Sequence, residues 1–223
     1  MAKRQVFIQS SEGDFFKEEI FEFKFYTGFA ISQKQKSISE LHSVIKDKYP
    51  DMEVLEVSSK SNNSLGKELS AFNLQYEDNG KRFFIENIFQ SSKKFSQGGP
   101  YKDLLYETPV KAKKDERLKT SGKLEAFICE DRTWPLEPKT FFYDWIYINA
   151  LYQKKDIHSK LLKYSIFTDI EFNSEKSINC QARSLAIFVS IYKNNTLGYY
   201  LKSPDNFLEI YSSRIEPTQL GFL

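Results

Sequence analysis

The chain has 223 residues, of which 40% are hydrophobic and 28% are charged, and this composition predicts a folded globular protein with a sizeable core. A formal net charge of +2 argues against binding bulk nucleic acid through a strong overall field. Two cysteines and two histidines are too few for a disulfide framework or a His-rich metal centre, so we expect no metal and no cofactor.

The N-terminal third of the chain predicts an α/β segment. It begins without the apolar stretch of a signal peptide, and no window reaches the length of a membrane span, so we expect a cytoplasmic protein. Phe21, Phe23 and Phe25 alternate with charged residues, which is the pattern of a half-buried strand. We predict strands at 5–10, 20–29 and 53–59, and a helix at 37–50.

A β-hairpin is predicted over residues 70–85. Its Asn79-Gly80 pair favours a type I′ turn, which needs positive φ at both central residues. An amphipathic helix over Arg82–Phe95, "RFFIENIFQSSKKF", is predicted to overlap the end of this hairpin.

The rest of the chain mixes helices with short strands. The segment after Pro138 is apolar on almost all sides and predicts a central helix. The mixture predicts an α+β fold with helices around a small mixed sheet. We predict helices at 100–108, 109–122, 139–154, 156–165 and 178–195, strands at 123–130 and 166–172, and a closing segment at 206–213.

One polar stripe of the predicted 82–95 helix carries candidate chemistry. At 100° per residue, Glu86, Gln90 and Lys93 fall within about 60° of one another. Two interpretations are open. The stripe either faces solvent with a weak ion pair, or makes Glu86 an acid or base that Gln90 holds and Lys93 balances.

Lys139 is a second candidate, because we place it in the first turn of the apolar helix. Positive potential at a helix N-terminus and burial both disfavour an ammonium group, so we expect its pKa to fall. A neutral lysine can attack a sugar aldehyde or position a water. The alternative is a lysine whose stem lies along apolar surface with its charge in water.

A third group of candidates lies between residues 166 and 183. Asp169 and Glu171 are carboxylates on one side of the predicted strand. Asn179 is expected to cap the next helix, and Arg183 lies in its first turn, an arrangement that suits a phosphate. An ordinary capped helix with surface acids is the alternative.

Two loops and one basic run supply weaker signals. Ser58–Ser61 and Ser70–Asn73 flank a strand end and the hairpin, where small polar residues can cradle a phosphate or a ribose. The densest basic run, Lys111–Lys123, is either a solvated face or a rail for phosphates.

Taken together, these segments resemble the NADAR superfamily. "SAFNL" and "GKRFFIENIFQSSKKF" are similar to its opening signature, in which Glu86, Gln90 and Lys93 match fixed positions. Asn87 stands where members usually have histidine. "GGPYKDLLY", "WPLEPKTFFYDWIYINALYQ" and "FTDIEFNSEKSINCQARS" resemble the branch of NADAR antitoxins encoded beside DarT-type DNA ADP-ribosyltransferase toxins. The likeness extends over about residues 4–211.

The resemblance implies a fold and an activity. The expected fold is the NADAR (YbiA-like) α+β fold, with an N-terminal α/β extension at 1–54, a catalytic core at 55–213 and a peripheral tail at 214–223, all in one structural unit. The implied activity is removal of ADP-ribose from guanine in DNA by N-glycosidic hydrolysis, which counteracts the toxin. Two alternatives stay open: an N-glycosidase acting on a small nucleotide or riboflavin-pathway intermediate, and an antitoxin that sequesters the toxin without catalysis.

The resemblance also changes the interpretation of the candidate residues. Glu86 and Asp169 become the catalytic carboxylates, and Lys139 becomes the nucleophile of a Schiff-base variant. The expected partners are ADP-ribosylated DNA, the ADP-ribose product and the paired toxin. The residues expected to bind substrate are Lys34, Ser59, Lys60, Phe72, Asn73, Gln90, Lys93, Tyr101, Trp134, Asn179 and Arg183.

Overall fold

The computed structural model describes residues 1–10, 14–173 and 177–212. Its strands are β1 (Ala2–Gln9), β2 (Phe16–Phe23), β3 (Val54–Glu56), β4 (Gln75–Asp78), β5 (Lys81–Phe84), β6 (Lys93–Phe95), β7 (Leu124–Cys129), β8 (Arg132–Trp134) and β9 (Ile166–Thr168). Its helices are α1 (Ile31–Lys48), α2 (Ser64–Glu68), α3 (Ile85–Ser91), α4 (Pro109–Lys114), α5 (Arg117–Thr120), α6 (Phe141–Gln153), α7 (His158–Leu161), α8 (Gln181–Lys193), α9 (Leu197–Tyr200) and α10 (Pro204–Ser212). Two 3₁₀ turns cover Lys102–Tyr106 and Lys155–Ile157.

A mixed four-stranded sheet in the order β2-β1-β9-β3 organises the fold. β1 pairs antiparallel with β2 and β9, whereas β3 and β9 run parallel. Because side chains alternate along a strand, Val6 and Ile8 join the cluster that contains Leu41 of α1, while Phe7 joins the larger cluster that contains α6 and α8. The predicted α+β class with a small mixed sheet is confirmed.

The predicted N-terminal elements exist with shifted boundaries. β2 begins at Phe16 rather than at residue 20, and α1 begins at Ile31 rather than at residue 37. The buried side chains of α1 start only at Ser37, so its first turns carry no apolar periodicity that could mark them as helical. α2 was not predicted, because five residues are too few to show a helical period.

The hairpin prediction is confirmed, but the helix after it is shorter than predicted. Asn79 and Gly80 have φ values of +48° and +75°, as a type I′ turn requires. Residues 82–84 belong to β5, and Lys93–Phe95 forms β6, which pairs with β7. The helix is therefore restricted to α3, because pairing with a distant strand overrides the local helical period.

The predicted central helix is α6, and it is buried along most of its length. It begins at Phe141, so Lys139 precedes the helix and is exposed, contrary to the expected first-turn position. The predicted 109–122 helix divides into α4 and α5 around Asp115. β9, from the predicted core, lies beside β1, from the predicted extension. The division at residue 54 stays a prediction, and the predicted tail at 214–223 lies outside the described residues.

Candidate active site

Glu86 lies in the first turn of α3 and is buried, with only 5% of its surface exposed. Gln90, one turn later, donates from Nε2 to Glu86 Oε1 at 2.8 Å. All seven residues of α3 are buried, because the helix packs between α4 and α6. The solvent-facing interpretation of this stripe is therefore wrong. A carboxyl group held in this way meets the first requirement for acid–base chemistry.

Lys93 continues the same line of contacts from β6. Its Nζ donates to Gln90 Oε1 at 2.7 Å and lies 4.8 Å from the centre of the Phe89 ring. Burial lowers the pKa of Lys93 to about 8, although the nearby Glu86 charge acts in the opposite direction. The amide of Gln90 thus connects the buried carboxyl group of Glu86 to the half-buried amine of Lys93, whose pKa is lowered.

Lys113 of α4 covers the carboxyl group of Glu86. Its Nζ is 3.8 Å from Glu86 Oε1 and 5.0 Å from the centre of the Phe72 ring. The Lys113 side chain is 56% exposed, so a ligand can displace it at little cost. The sequence indicated only the surrounding basic run, since contact between α4 and α3 depends on tertiary packing.

Asp169 supplies a second buried carboxyl group, directly after β9. Its Oδ1 accepts a hydrogen bond from Glu171 N at 3.0 Å, and its Oδ2 accepts one from Gln181 Nε2 at 2.9 Å. The residue is 8% exposed. Burial raises the pKa of Asp169 to about 8, and the charge of Glu56 adds to the effect. The raised pKa favours the protonated form of Asp169 at neutral pH.

A short chain of hydrogen bonds joins the two carboxyl-bearing residues into one region. Gln181 Oε1 accepts from Ala71 N at 2.7 Å, and Ala71 O accepts from Glu86 N at 3.0 Å. Tyr143 of α6 is buried in the same region. Burial raises its pKa well above the usual value, and the charges of Glu86 and Asp169 both add to that rise. The structure thus supplies an acidic pair with lysines at its margin.

The sequence as a whole matches a family model described as the DarT1-associated NADAR antitoxin, over residues 2–219. The chain belongs to this family. No curated protein matched the antitoxin.

Within its described residues, no helix has both the length and the apolar character needed to cross a bilayer. The same residues contain no group of three His, Cys, Asp or Glu side chains that could hold a metal ion.

Lys139 of the antitoxin does not have the buried, first-turn position that was expected from the sequence. Its backbone N donates to Glu137 Oε2 at 3.0 Å in the turn before α6, and the residue is exposed. An exposed lysine keeps its hydration, so the burial on which the expected chemistry of Lys139 depended is absent. Within the described site, Lys93 has the burial that was expected of Lys139.

Arg183 and Asn179 do not form the phosphate site that was expected at the start of α8. The guanidinium of Arg183 pairs with Asp144, contacts Thr140 and lies 5.1 Å from the centre of the Phe16 ring. Cys180, rather than Asn179, is the N-cap residue of α8, and no side chain caps the helix. The Asn179 cap prediction is wrong, and the Arg183 charge is neutralised within the fold.

Three other candidates lie near the Asp169 turn. Lys34 Nζ is 3.2 Å from Glu171 Oε1. Because β3 and β9 are parallel, with Glu56 opposite Thr168, the residues that follow both strands emerge at one edge of the sheet. Ser59, which is exposed, and Lys60, which is half-buried, therefore lie at the Asp169 edge.

The remaining binding candidates are spread over other surfaces. Asn73 is exposed and bonds Lys67 O, and Tyr101 bonds Ser121 beneath the guanidinium of Arg117. Trp134 is 4% exposed and lines a cavity of about 290 Å³ between α3, α6 and β8. Neither this cavity nor a second one of about 450 Å³ beside His158 is lined by Glu86 or Asp169.

Sequence reasoning missed Glu56, Gln181, Tyr143 and Lys113. Tyr143 and Gln181 lie in segments that resemble the family, and Lys113 lies in the basic run, but no pattern in the sequence marks their roles. Each acquires its place through contacts with residues distant in the chain. Only Glu56 offered a signal, because it is a charged residue inside a predicted strand. Charged residues are seldom buried without a partner, and Glu56 is buried.

Proposed function

We propose that this antitoxin is a hydrolase that removes ADP-ribose from guanine bases in DNA by cleaving the N-glycosidic bond. The observation that supports the proposal is the pair of buried carboxyl groups in one region, Glu86 hydrogen-bonded to Gln90 and Asp169 kept protonated by burial. Family membership adds the partner, a DarT-type toxin. Enzymes that break a glycosidic bond usually use two carboxyl groups, one as an acid and the other as a base.

The chemistry divides naturally between the two groups. Cleavage breaks the bond between the anomeric carbon of ribose and the exocyclic nitrogen of guanine, and positive charge develops on the sugar. In our proposal, the Glu86 carboxylate stabilises that charge and takes a proton from the attacking water. Asp169 donates its proton to the departing guanine nitrogen. The products are guanine in DNA and free ADP-ribose.

The lysines bind charge in this proposal rather than forming a covalent intermediate. Lys113, above Glu86 and Phe72, is placed to meet a pyrophosphate oxygen, and Phe72 offers a face for stacking. Lys34 and Lys60 provide further cationic charge at the Asp169 edge. A basic margin of this kind suits DNA that presents one modified base to the site.

Substituting Glu86 tests the proposal. The Glu86→Gln variant keeps the shape and loses the charge, so we expect ADP-ribose release from a modified guanine oligonucleotide to fall by about 10²–10⁴-fold. Glu68→Gln is the matched control, because Glu68 forms an exposed ion pair with Lys154 that contributes little. A wild-type rate in Glu86→Gln would disprove the catalytic role.

The wild-type protein tests the substrate class in the same assay. If it released no ADP-ribose from DNA, the proposed activity would be wrong. Binding of the toxin by both wild type and Glu86→Gln would then favour sequestration, and release from free nucleotide derivatives would favour a small-molecule N-glycosidase.

Borohydride trapping tests the proposed absence of a covalent step. A Schiff base between a lysine and the opened ribose would be reduced to a stable adduct. We expect no adduct when borohydride is added during turnover, as judged by intact-protein mass spectrometry. An adduct that peptide mapping placed on Lys93 or Lys139 would replace direct hydrolysis by the lysine mechanism.

A further inference from the structure

Glu56 is a third buried carboxyl group, and the proposed mechanism does not use it. It ends β3, is 2% exposed and lies opposite Thr168 of β9. Its Oε1 accepts hydrogen bonds from Ser58 Oγ at 2.7 Å and Ile170 N at 2.9 Å, and its Oε2 accepts one from Thr168 Oγ1 at 2.6 Å. Three hydrogen-bond donors therefore contact this one side chain.

The contacts of Glu56 enclose Asp169 from both sides along the chain. Thr168 precedes Asp169 and Ile170 follows it, and Glu56 bonds the hydroxyl of the first and the backbone N–H of the second. The turn that presents Asp169 is therefore held by Glu56. A glutamine has one acceptor oxygen, so accepting hydrogen bonds at both oxygens requires a carboxylate. Burial raises the pKa of Glu56, and the hydrogen bonds from Ile170, Thr168 and Ser58 act in the opposite direction by stabilising its charge.

The hydrogen-bond donors to Glu56 and Asp169 are neutral groups, and among the described residues no cation forms an ion pair with either carboxyl group. His42 of α1 bonds Thr168 Oγ1 through Nε2 at 3.0 Å, but burial lowers the pKa of His42 to about 4, so the ring is neutral at pH 7. Lys34 is a cation beside this turn, but it pairs with the exposed Glu171. The other titratable groups that act on Asp169 or share its surroundings are Glu86 of α3, Tyr143 and Tyr147 of α6, and Cys180 before α8.

We propose that Glu56 is a positioning residue for Asp169, an inference that rests on the proposed hydrolase function. Its carboxylate fixes the turn on both sides of Asp169, and its negative charge keeps Asp169 in the acid form that donates a proton to the leaving guanine. Glu56 itself touches neither substrate nor water in this role.

The direction of the pKa shifts is consistent with this assignment. Burial is the largest cause that raises the pKa of Asp169, and the charge of Glu56 is the second. Asp169 acts as an acid only while protonated, so hydrolysis should decline as pH rises through about 8. Removing the Glu56 charge should move that decline to lower pH.

The test uses Glu56→Gln in the full chain. Glutamine keeps the size of the side chain and one acceptor oxygen but carries no charge, and its nitrogen cannot accept the hydrogen bond that reaches the second oxygen of Glu56. We expect the Asp169 titration midpoint to fall by about one to two pH units. The measurement is the carboxyl ¹³C shift of Asp169 against pH, assigned with Asp169→Asn. The alkaline limb of kcat should move by the same amount, with KM unchanged.

Thr168→Val is the matched control, because it removes the hydroxyl that bonds Glu56 and His42 and leaves the Glu56 charge in place, so the midpoint should stay near its wild-type value. An unchanged midpoint in Glu56→Gln would overturn the proposal, as would loss of activity without movement of the alkaline limb. If Glu56→Gln did not fold, a wild-type Asp169 midpoint below about 5 would overturn it instead. A shifted midpoint in a protein whose wild type releases no ADP-ribose would support the coupling and overturn the proposed function.

Discussion

Burial acts in opposite directions on the two titratable side chains that flank the site. It raises the pKa of Asp169 to about 8 and lowers the pKa of Lys93 to about 8, because a low-dielectric environment disfavours the charged form of either group. Asp169 is therefore mostly neutral at pH 7, while Lys93 is mostly charged. In the proposed mechanism, burial therefore favours a protonated acid at Asp169 and weakens the positive charge of Lys93.

The raised pKa of Asp169 predicts a pH-dependent cost in stability. The folded state holds the proton up to about pH 8, whereas the unfolded chain releases it near pH 4, so the free energy of unfolding should fall between these values. Relative to Asp169→Asn, which cannot titrate, the wild type should lose up to about 1.4 kcal/mol per pH unit in this window.

Urea denaturation of both proteins at pH 5 and pH 8.5 measures this difference. Asp205→Asn is the control, since Asp205 is largely exposed and its effect should not change with pH. A constant difference between wild type and Asp169→Asn at the two pH values would show that Asp169 titrates normally in the folded protein.

Helices α6 and α8 are joined by a buried polar network rather than by apolar contacts alone. Asp144 is fully buried and accepts hydrogen bonds from Arg183, Ser184 and Tyr211. The network places α6, which carries Tyr143, against α8, which begins with Gln181. The network therefore positions Tyr143 and Gln181, which lie beside Glu86 and Asp169.

Removing one member of this network should be strongly destabilising. Asp144→Ala leaves the guanidinium of Arg183 buried without its partner, so we expect a loss of about 3–5 kcal/mol in the free energy of unfolding. Asp205→Ala breaks the exposed ion pair with Arg132 and should cost less than about 1 kcal/mol. Equal effects of the two variants in chemical denaturation would contradict the structural role of the buried pair.

At the scale of the whole molecule, the four-stranded sheet connects the N-terminal strands to the site. β9 leads directly into Asp169 and lies between β1 and β3. Phe7 of β1 packs edge-on against Phe16 and Phe172, with ring centres 5.8 and 6.5 Å apart. Loss of order in β1 should therefore reach the Asp169 turn.

Phe7→Ala tests this connection. Removing a fully packed aromatic ring should reduce the free energy of unfolding by about 3–5 kcal/mol, and activity should be lost in the same single transition. Ile20→Ala is the control, because Ile20 is 66% exposed on β2 and should change stability by less than about 0.5 kcal/mol. Separate melting of the N-terminal strands would instead support an independent extension.

Local sequence alone determined the β-hairpin, the two long apolar helices and the one-turn spacing that brings Glu86 and Gln90 together, because turn chemistry and periodicity act over a few residues. Lys93 joins them from β6, whose pairing with β7 was decided by the tertiary structure. The tertiary structure decided which polar groups are buried: Glu86 is enclosed although its stripe resembles a solvated face, and Lys139 is exposed although the helix that follows it is apolar. It also decided that Asp169 meets Gln181 and Glu56, since such contacts depend on how distant strands and helices pack. Periodicity identifies the faces of an element, but the energy of a buried charge depends on partners that only the folded chain supplies.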